Sequence, residues 1–161
     1  AWGEFLHAEN FLVGISLDGP RLLHDPYRVD AAGHDTWEKV RRGLRVLRRH
    51  RVEFNTLTVV HRRNCRHPEE IYDFLLSEGA RHLQFIPLVE RRPTAAEAAA
   101  GLRHGAPDPA RLVPAAEAAS AVSNESVPPG RFGAFLNAVF DRWVRRDVGR
   151  VFVQQFDSAL S

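Results

Sequence analysis

The chain has 161 residues, 44% hydrophobic and 26% charged, which is typical of a globular domain with its own core rather than of a disordered segment. Its formal net charge is +2 and its pI about 9.2, because nearly all the positive charge is arginine. No apolar run approaches the ~18 residues of a membrane span, and the single cysteine excludes an internal disulfide or a cysteine-only metal site.

Four apolar runs predict strands, and three amphipathic stretches between them predict helices. In chain order these are strand 11–17, helix 36–50, strand 52–60, helix 69–78, strand 81–88, helix 130–146 and strand 150–156. Asp35 and Glu38 have the spacing of a capping pair for the first helix. The alternation of strands and helices indicates βαβ units, and therefore an α/β fold with a parallel sheet.

An irregular stretch rich in Ala, Pro and Gly separates the third strand from the third helix, at about 90–129. Segments 94–102 and 114–122 suit short helices, but repeated prolines break any longer helix. We expect an insertion or lid within one domain rather than a second domain. Four strands are too few for a closed barrel of eight, so the architecture is an open sheet or part of a barrel.

Polar residues at the carboxyl ends of parallel strands mark the expected ligand site. Alternation along the first strand places Ser16 and Asp18 on one face with Gly14, and this pair suits a ribose or an amino-acid group. The alternative is a turn in which Asp18 caps its own backbone. Arg28, in the loop that follows, suits either bidentate binding of a ligand carboxylate or a surface salt bridge.

The other polar candidates are more ambiguous. Asn55 and Gln84 lie inside apolar strands and, if buried, need hydrogen bonds from a core network or a ligand. Asp157 follows the last strand, either at the mouth of the sheet or, as we favour, as the N-cap of a further helix. The eight histidines form no HxH or HExxH pair, and we expect His24 and His34 at the surface. The arginine runs lie near helix ends without interleaved aromatic residues, which favours solvated helix faces over nucleic-acid contact.

Several segments, in order and spacing, resemble the anaerobic sulfatase-maturating enzymes of the radical S-adenosylmethionine (SAM) superfamily. They are FLVGISLDGPRLLHDPYRVDAAGHDTWEKV, VEFNTLTVVHRRN, HLQFIPLVE and FLNAVFDRWVRRDVGRVFVQQFD. The resemblance implies that residues 1–161 are an internal fragment of a partial (β/α)6 barrel. It also implies that Ser16 and Arg28 match SAM-contacting positions, that Asp18 accompanies Ser16, and that Val89 matches a position with a backbone contact to SAM.

The chemistry that the resemblance implies belongs to a full-length parent enzyme. A reduced [4Fe-4S] cluster there cleaves SAM, and the resulting 5′-deoxyadenosyl radical takes a hydrogen atom from a Cys or Ser of a sulfatase. Oxidation of that residue yields Cα-formylglycine and activates the sulfatase. The expected partners are the sulfatase polypeptide and an electron donor such as a flavodoxin or ferredoxin, in the cytoplasm, without nucleic acid or membrane.

Several parts of that enzyme are absent from this sequence. It lacks the three-cysteine motif of the SAM cluster, the cysteine-rich domain of the auxiliary clusters and the proton-acceptor Asp, which we expect upstream or downstream. Cys65 and Asp157 match none of these positions, so we expect no catalytic residue and no metal ligand here, and an inactive isolated chain. The alternatives are another radical SAM peptide-modifying enzyme and a non-redox α/β binding module.

Overall fold

The computed structural model describes residues 2–101 and 122–160, except for the side chain of residue 160. One sheet contains β1 (Leu12–Ser16), β2 (Glu53–Val60), β3 (His82–Pro87) and β4 (Phe152–Val153), in that order, and every neighbouring pair is parallel. The helices are α1 (Trp2–Ala8), α2 (Arg21–His24), α3 (Trp37–Arg49), α4 (Pro68–Ser77), α5 (Ala95–Ala99), α6 (Pro129–Arg146) and α7 (Gln154–Leu160). The predicted α/β fold with parallel βα units is confirmed.

The first three predicted strands and all three predicted helices agree with the structure to within one or two residues. The fourth strand was predicted too long, since β4 ends at Val153 and α7 begins at Gln154. Gln155 donates a side-chain hydrogen bond to the Phe85 carbonyl at 2.6 Å. Phe156 packs against the rings of Phe140 and Trp143. Val153 and Phe156 are three residues apart, so a continued strand would put them on opposite faces, whereas the change to α7 after Val153 buries both.

One face of the sheet is covered by helices and contains the core. Every second residue of β2 is buried on this face, from Phe54 through Thr56 and Thr58 to Val60. The helices contribute Leu44 and Leu47 from α3, Ile71, Tyr72 and Leu75 from α4, and Phe135, Val139 and Trp143 from α6. Each large apolar side chain removed from water in this way contributes roughly 1.5–3 kcal/mol.

The opposite face, which we call the open face, includes Leu12, Gly14, Ser16, Asn55, Leu57 and Gln84. All six are exposed or half-buried, although they alternate with core residues along the same strands. The register places Gly14 opposite Asn55, and Ser16 opposite Leu57. A Cβ atom at Gly14 would lie 3.1 Å from Leu57 Cδ1, so any side chain there would crowd its neighbour. The glycine therefore keeps the open face free of bulk beside the end of β1.

After β3 the chain leaves the sheet at 88–91 and returns at 122–127, where the two segments pair with each other. The Val127 N–H donates to the Leu88 carbonyl at 3.0 Å, and the Ser123 N–H donates to the Glu90 carbonyl at 2.8 Å. An isolated antiparallel bridge joins Arg91 to Val122 at the far end of this pairing, which we call the clamp. A short helix was predicted in 94–102, and α5 confirms it; most of 114–122 lies outside the described residues.

Candidate functional site

The site residues predicted from the sequence lie along the carboxyl edge of the sheet. Ser16 is the last residue of β1, and its side chain is exposed on the open face. Val89 lies two residues beyond β3 and is 65% exposed. Arg28 follows α2 and contacts Asp18. Since the strands are parallel, all four positions belong to one edge.

Asp18 and Arg28 form a buried ion pair. Arg28 Nε donates to Asp18 Oδ2 at 2.7 Å, and Arg28 Nη2 donates to Asp18 Oδ1 at 3.1 Å. The Val59 N–H also donates to Asp18 Oδ1, at 2.8 Å. Asp18 is only 1% exposed, so its charge depends on these three donors to compensate for its loss of water.

This burial corrects the expectation that Ser16 and Asp18 share one face. The alternation of β1 ends at Ser16, and the Asp18 carboxylate turns inward to Arg28 and β2. It neither caps its own turn nor lies open to solvent. The Arg28 side chain, by contrast, is 30% exposed. Its pair with Asp18 uses the Nε and Nη2 edge of the guanidinium, so the Nη1 edge points away from the carboxylate.

His24 is fully buried, so the prediction that it lies at the surface is wrong. Its Nδ1 accepts the Asp18 backbone N–H at 3.2 Å, and its Nε2 lies 3.1 Å from Thr36 Oγ1. Burial lowers the pKa of His24, against the opposing influence of Asp18 and Asp25, and Arg28 lowers it further. His24 is therefore neutral and links the start of the loop at 17–36, which we call the site loop, to α3. His34, as expected, is exposed.

The expected capping pair at the start of α3 is also wrong. Neither Asp35 nor Thr36 caps the helix through its side chain, and the Trp37 N–H donates to Asp25 Oδ1 at 3.0 Å instead. Asp25 also accepts a hydrogen bond from Arg21 at 3.0 Å. A carboxylate from the preceding loop thus fixes where α3 begins, and it holds the site loop against that helix.

Asn64 joins the site to the end of β2. It is fully buried; its Oδ1 accepts the His61 N–H at 2.8 Å, and its Nδ2 donates to the Val59 carbonyl at 2.8 Å. A longer contact of 3.5 Å joins Nδ2 to the Asp18 carbonyl. Asn64 therefore connects the 3-10 turn Asn64–Arg66 both to the backbone of Asp18 and to that of Val59, whose N–H bonds to the Asp18 carboxylate.

An aromatic cluster closes the other side of the site loop. The Tyr27 ring lies 3.9 Å from the His61 ring, and the Tyr27 hydroxyl donates to Glu125, which lies within the clamp. The Arg63 guanidinium lies over the Tyr27 ring, 5.7 Å from its centre. Burial lowers the pKa of His61 to about 4, so this ring is neutral near pH 7.

The remaining polar candidates lie apart from this network. Asn55 and Gln84 are half-buried on the open face rather than in the core. Asp157 lies in the first turn of α7, where a carboxylate complements the helix dipole; it is not the N-cap we favoured. Cys65 is a buried free thiol in the 3-10 turn. Within residues 2–101 and 122–160, no group of three or more His, Cys, Asp or Glu could hold a metal ion.

Sequence reasoning missed Thr36, His61, Asn64 and Glu125, because each acts through a contact that only the folded chain forms. Two weak signals existed. Thr36 stands directly before a helical stretch, and Asn64 follows the end of β2 within RRNC. Neither pattern reveals which distant backbone group the side chain contacts.

Comparison with known proteins relates this geometry to a family. The chain is 38% identical over 161 residues to the serine-type anaerobic sulfatase-maturating enzyme of Bacteroides thetaiotaomicron, covering 99% of this chain and 36% of the relative. It is 35% identical over 162 residues to the cysteine-type enzyme of Clostridium novyi, covering 99% of this chain and 37% of the relative. The chain thus spans about a third of the length of the curated relatives it matches. No protein-family profile matches it.

The structural comparison agrees. The solved structure of native anSMEcpe with bound AdoMet and Kp18Cys peptide matches with a TM-score of 0.71 at 30% identity, covering 97% of this chain and 37% of that one. The parallel sheet with a polar carboxyl edge therefore has the α/β fold of part of a radical SAM enzyme. More particularly, over nearly its whole length the chain is homologous to one segment of the anaerobic sulfatase-maturating enzymes, which confirms the resemblance.

Proposed function

We propose that this chain is the SAM-binding part of the barrel of an anaerobic sulfatase-maturating enzyme. The full-length protein would oxidise a Cys or Ser of a sulfatase to Cα-formylglycine. The observation that carries the proposal is the joint match in sequence and fold to maturases, including a solved structure with bound AdoMet and a peptide. Both serine-type and cysteine-type relatives match, so the proposal covers either target residue.

The residues that we propose as SAM contacts are Ser16, Arg28 and Val89, with Asp18 behind Arg28. The Ser16 hydroxyl is exposed at the end of β1, and Gly14 leaves space on the same face. Arg28 turns one edge of its guanidinium to Asp18, which leaves the Nη1 edge for a ligand carboxylate. Val89 continues the line of β3 with its backbone at the carboxyl edge. These groups fit a ligand with hydroxyl and carboxylate functions.

Bound SAM would supply the reactive alkyl group for hydrogen-atom removal. The chain's own residues bind and orient it: Ser16 by a hydrogen bond, and Arg28 by a charge-assisted hydrogen bond that the buried Asp18 keeps in place. Asp18 itself has no exposed oxygen with which to contact a ligand, at 1% exposure. Its proposed role is therefore to hold Arg28 rather than to bind SAM.

The [4Fe-4S] cluster of the proposal does not fit the residues of this chain. Such clusters are held by cysteine thiolates, and the chain has one cysteine, which is buried in the turn after β2 with its Sγ donating to the Arg62 carbonyl at 3.3 Å. We therefore propose that cluster ligands and the proton-acceptor Asp come from other parts of the full-length protein. The isolated chain should bind no iron and cleave no SAM.

The proposed partners are a sulfatase polypeptide and a reductant of the flavodoxin or ferredoxin class. Cytoplasmic location is part of the same proposal, since iron–sulfur chemistry and a free thiol both suit a reducing compartment. Within residues 2–101 and 122–160, no helix combines the length and apolar character needed to cross a bilayer. We further propose that 90–129 is an insertion within one barrel domain that extends over residues 1–161.

The test is an assay of the full-length protein, reconstituted anaerobically with iron and sulfide and given SAM, a reductant and a sulfatase peptide with Cys or Ser at the target. We expect 5′-deoxyadenosine and a peptide aldehyde that a hydrazide reagent traps. Deoxyadenosine without aldehyde would favour another radical SAM peptide modification. The absence of both cluster absorbance and SAM binding would favour a non-redox α/β binding module.

A further inference from the structure

Thr36 occupies the N-cap position of α3 but does not cap the helix. A threonine at this position ordinarily accepts a backbone N–H from the first turn, and Thr36 makes no such bond. A different donor of the first turn, the Trp37 N–H, bonds to Asp25 Oδ1 at 3.0 Å. The Thr36 hydroxyl is directed away from the helix, where it donates to the backbone carbonyl of Arg28. Thr36 therefore bonds to the backbone of Arg28 rather than capping α3.

His24 connects this hydroxyl to Asp18. A backbone N–H can only donate, so the bond from Asp18 N to His24 Nδ1, at 3.2 Å, leaves the ring proton of neutral His24 on Nε2. Nε2–H then donates to Thr36 Oγ1 at 3.1 Å, while the threonine proton goes to the Arg28 carbonyl. The charged groups that face this ring are Asp18, Asp25 and Arg28.

These bonds form a closed circuit of four residues. From the Asp18 backbone the circuit runs through His24 and Thr36 to the Arg28 carbonyl, and from the Arg28 guanidinium back to the Asp18 carboxylate. We call this the arginine ring. It holds Arg28 at two points, the backbone and the charged head, and the flexible stem lies between them. An arginine fixed in this way loses little rotamer freedom when a ligand binds.

We infer that His24 and Thr36 are positioning residues that hold Arg28 ready for its ligand carboxylate. The inference rests on the proposed function, in which Arg28 contacts SAM. Neither residue has to touch SAM, because both act on the backbone of Arg28 and through the Asp18 end of the ring. Their loss would lower SAM affinity by letting Arg28 move, and we expect peptide binding to be unaffected.

A matched pair of variants tests the hydroxyl in the reconstituted full-length protein, with SAM binding measured by calorimetry. Thr36→Val removes the hydroxyl with little change of shape, and we expect SAM to bind roughly threefold to tenfold more weakly. Thr36→Ser keeps the hydroxyl and should stay within about twofold of the parent. His24→Asn keeps an acceptor for the Asp18 N–H, but its shorter amide does not reach Thr36 Oγ1, so it should match Thr36→Val. The KM for the peptide should change in none of them.

A double-mutant cycle separates this role from general damage to the fold. In an Arg28→Gln background, Thr36→Val should weaken SAM binding no further, because the residue through which it acts is gone. A full additional loss in that background, or an unchanged SAM affinity in Thr36→Val beside a weakened Arg28→Gln, would overturn the inference. If Arg28→Gln itself leaves SAM affinity unchanged, the proposed contact between Arg28 and SAM is wrong, and the inference that depends on it is overturned as well. Should Thr36→Val not fold, Thr36→Ala and His24→Asn carry the same cycle.

Discussion

The two faces of the sheet are made by the same strands, yet different demands shape them. On β2, Phe54, Thr56, Thr58 and Val60 point into the helix-covered core, whereas Asn55 and Leu57 point to the open face. The covered face is filled by large side chains from α3, α4 and α6. On the open face, β1 carries no side chain at Gly14 and a small hydroxyl at Ser16.

The difference teaches where stability and where binding reside. Residues of the covered face are held by volume, because each fills a space that its neighbours cannot close. Residues of the open face contact few neighbours and are free to suit a ligand. The carboxyl edge is a third environment, in which buried polar groups replace apolar packing. Substitutions on the covered face, at the carboxyl edge and on the open face should therefore differ in how much they change the free energy of unfolding and SAM binding.

The largest effect is expected on the covered face. Phe85 is 1% exposed and meets the Phe135 ring edge-on at 5.2 Å, so Phe85→Ala should lower the free energy of unfolding by about 3–5 kcal/mol. Leu12→Ala on the open face, where Leu12 is 63% exposed, should cost less than about 1 kcal/mol. Urea unfolding followed by circular dichroism measures both. Equal losses would show that the open face is packed in solution.

A smaller effect is expected at the carboxyl edge. Asp18→Asn removes the charge that pairs with Arg28 but keeps an oxygen for the Val59 N–H, so unfolding should become easier by about 1.5–3 kcal/mol. The control is Asp35→Asn, since the Asp35 side chain is 58% exposed and should contribute less than about 0.5 kcal/mol. If both variants unfold at the same urea concentration, the buried pair adds nothing to stability.

The neutral histidines predict a dependence on pH. His61 is 1% exposed and its pKa is lowered to about 4, with Asp18, Glu125 and Arg63 as the charged groups around it. The unfolded chain takes up this proton near pH 6.5, so between about 6.5 and 4 the unfolded state holds more protons than the folded one. Stability should fall as the pH is lowered through this window, by up to about 1.4 kcal/mol per pH unit for this one group.

Unfolding curves at a series of pH values measure that slope. The same series on His61→Gln supplies the control, because a glutamine cannot take up the proton and the slope between pH 6.5 and 4 should decrease. His24, whose pKa is also lowered by burial, contributes to the slope that remains. An identical slope in parent and variant would show that His61 does not titrate in this window.

The smallest effect is expected on the open face and only in ligand binding. In the full-length protein, Ser16→Ala should weaken SAM binding by about one hydrogen bond, 0.5–1.5 kcal/mol, and leave unfolding nearly unchanged because Ser16 is exposed. Calorimetry with SAM, beside urea unfolding, distinguishes the two quantities. Unchanged SAM affinity would remove Ser16 from the site.

Sequence patterns predicted the covered face well, because a core requires apolar residues at the period of its strands and helices. The amphipathic run of α6, for example, puts Phe135, Val139 and Trp143 at helical spacing, and all three are buried. The end of the sheet was harder, since VFVQQFD suits a strand and a helix alike. Packing of Phe156 against Phe140 and Trp143 selects the helix, and no local pattern contains that contact.

The contacts among the candidate site residues could not be predicted from the sequence. The pattern indicated Asp18 and Arg28 without showing that each would be the other's partner. His24 looked like a surface residue among turn residues, because burial of a histidine depends on partners that only the folded loop provides. The same limit applies to Thr36, whose local position predicts a helix cap rather than a bond to Arg28.

The clamp between 88–91 and 122–127 has a consequence for how this protein could change over evolution. Its hydrogen bonds bring the two ends of the intervening stretch together at the edge of the sheet. Once the ends are joined, doubling the number of residues between them would cost only about 0.6 kcal/mol even for a fully flexible loop. Insertions and deletions there are thus nearly invisible to the rest of the fold. This stretch can therefore be lengthened, shortened or exchanged, while the strands and the arginine ring stay as they are.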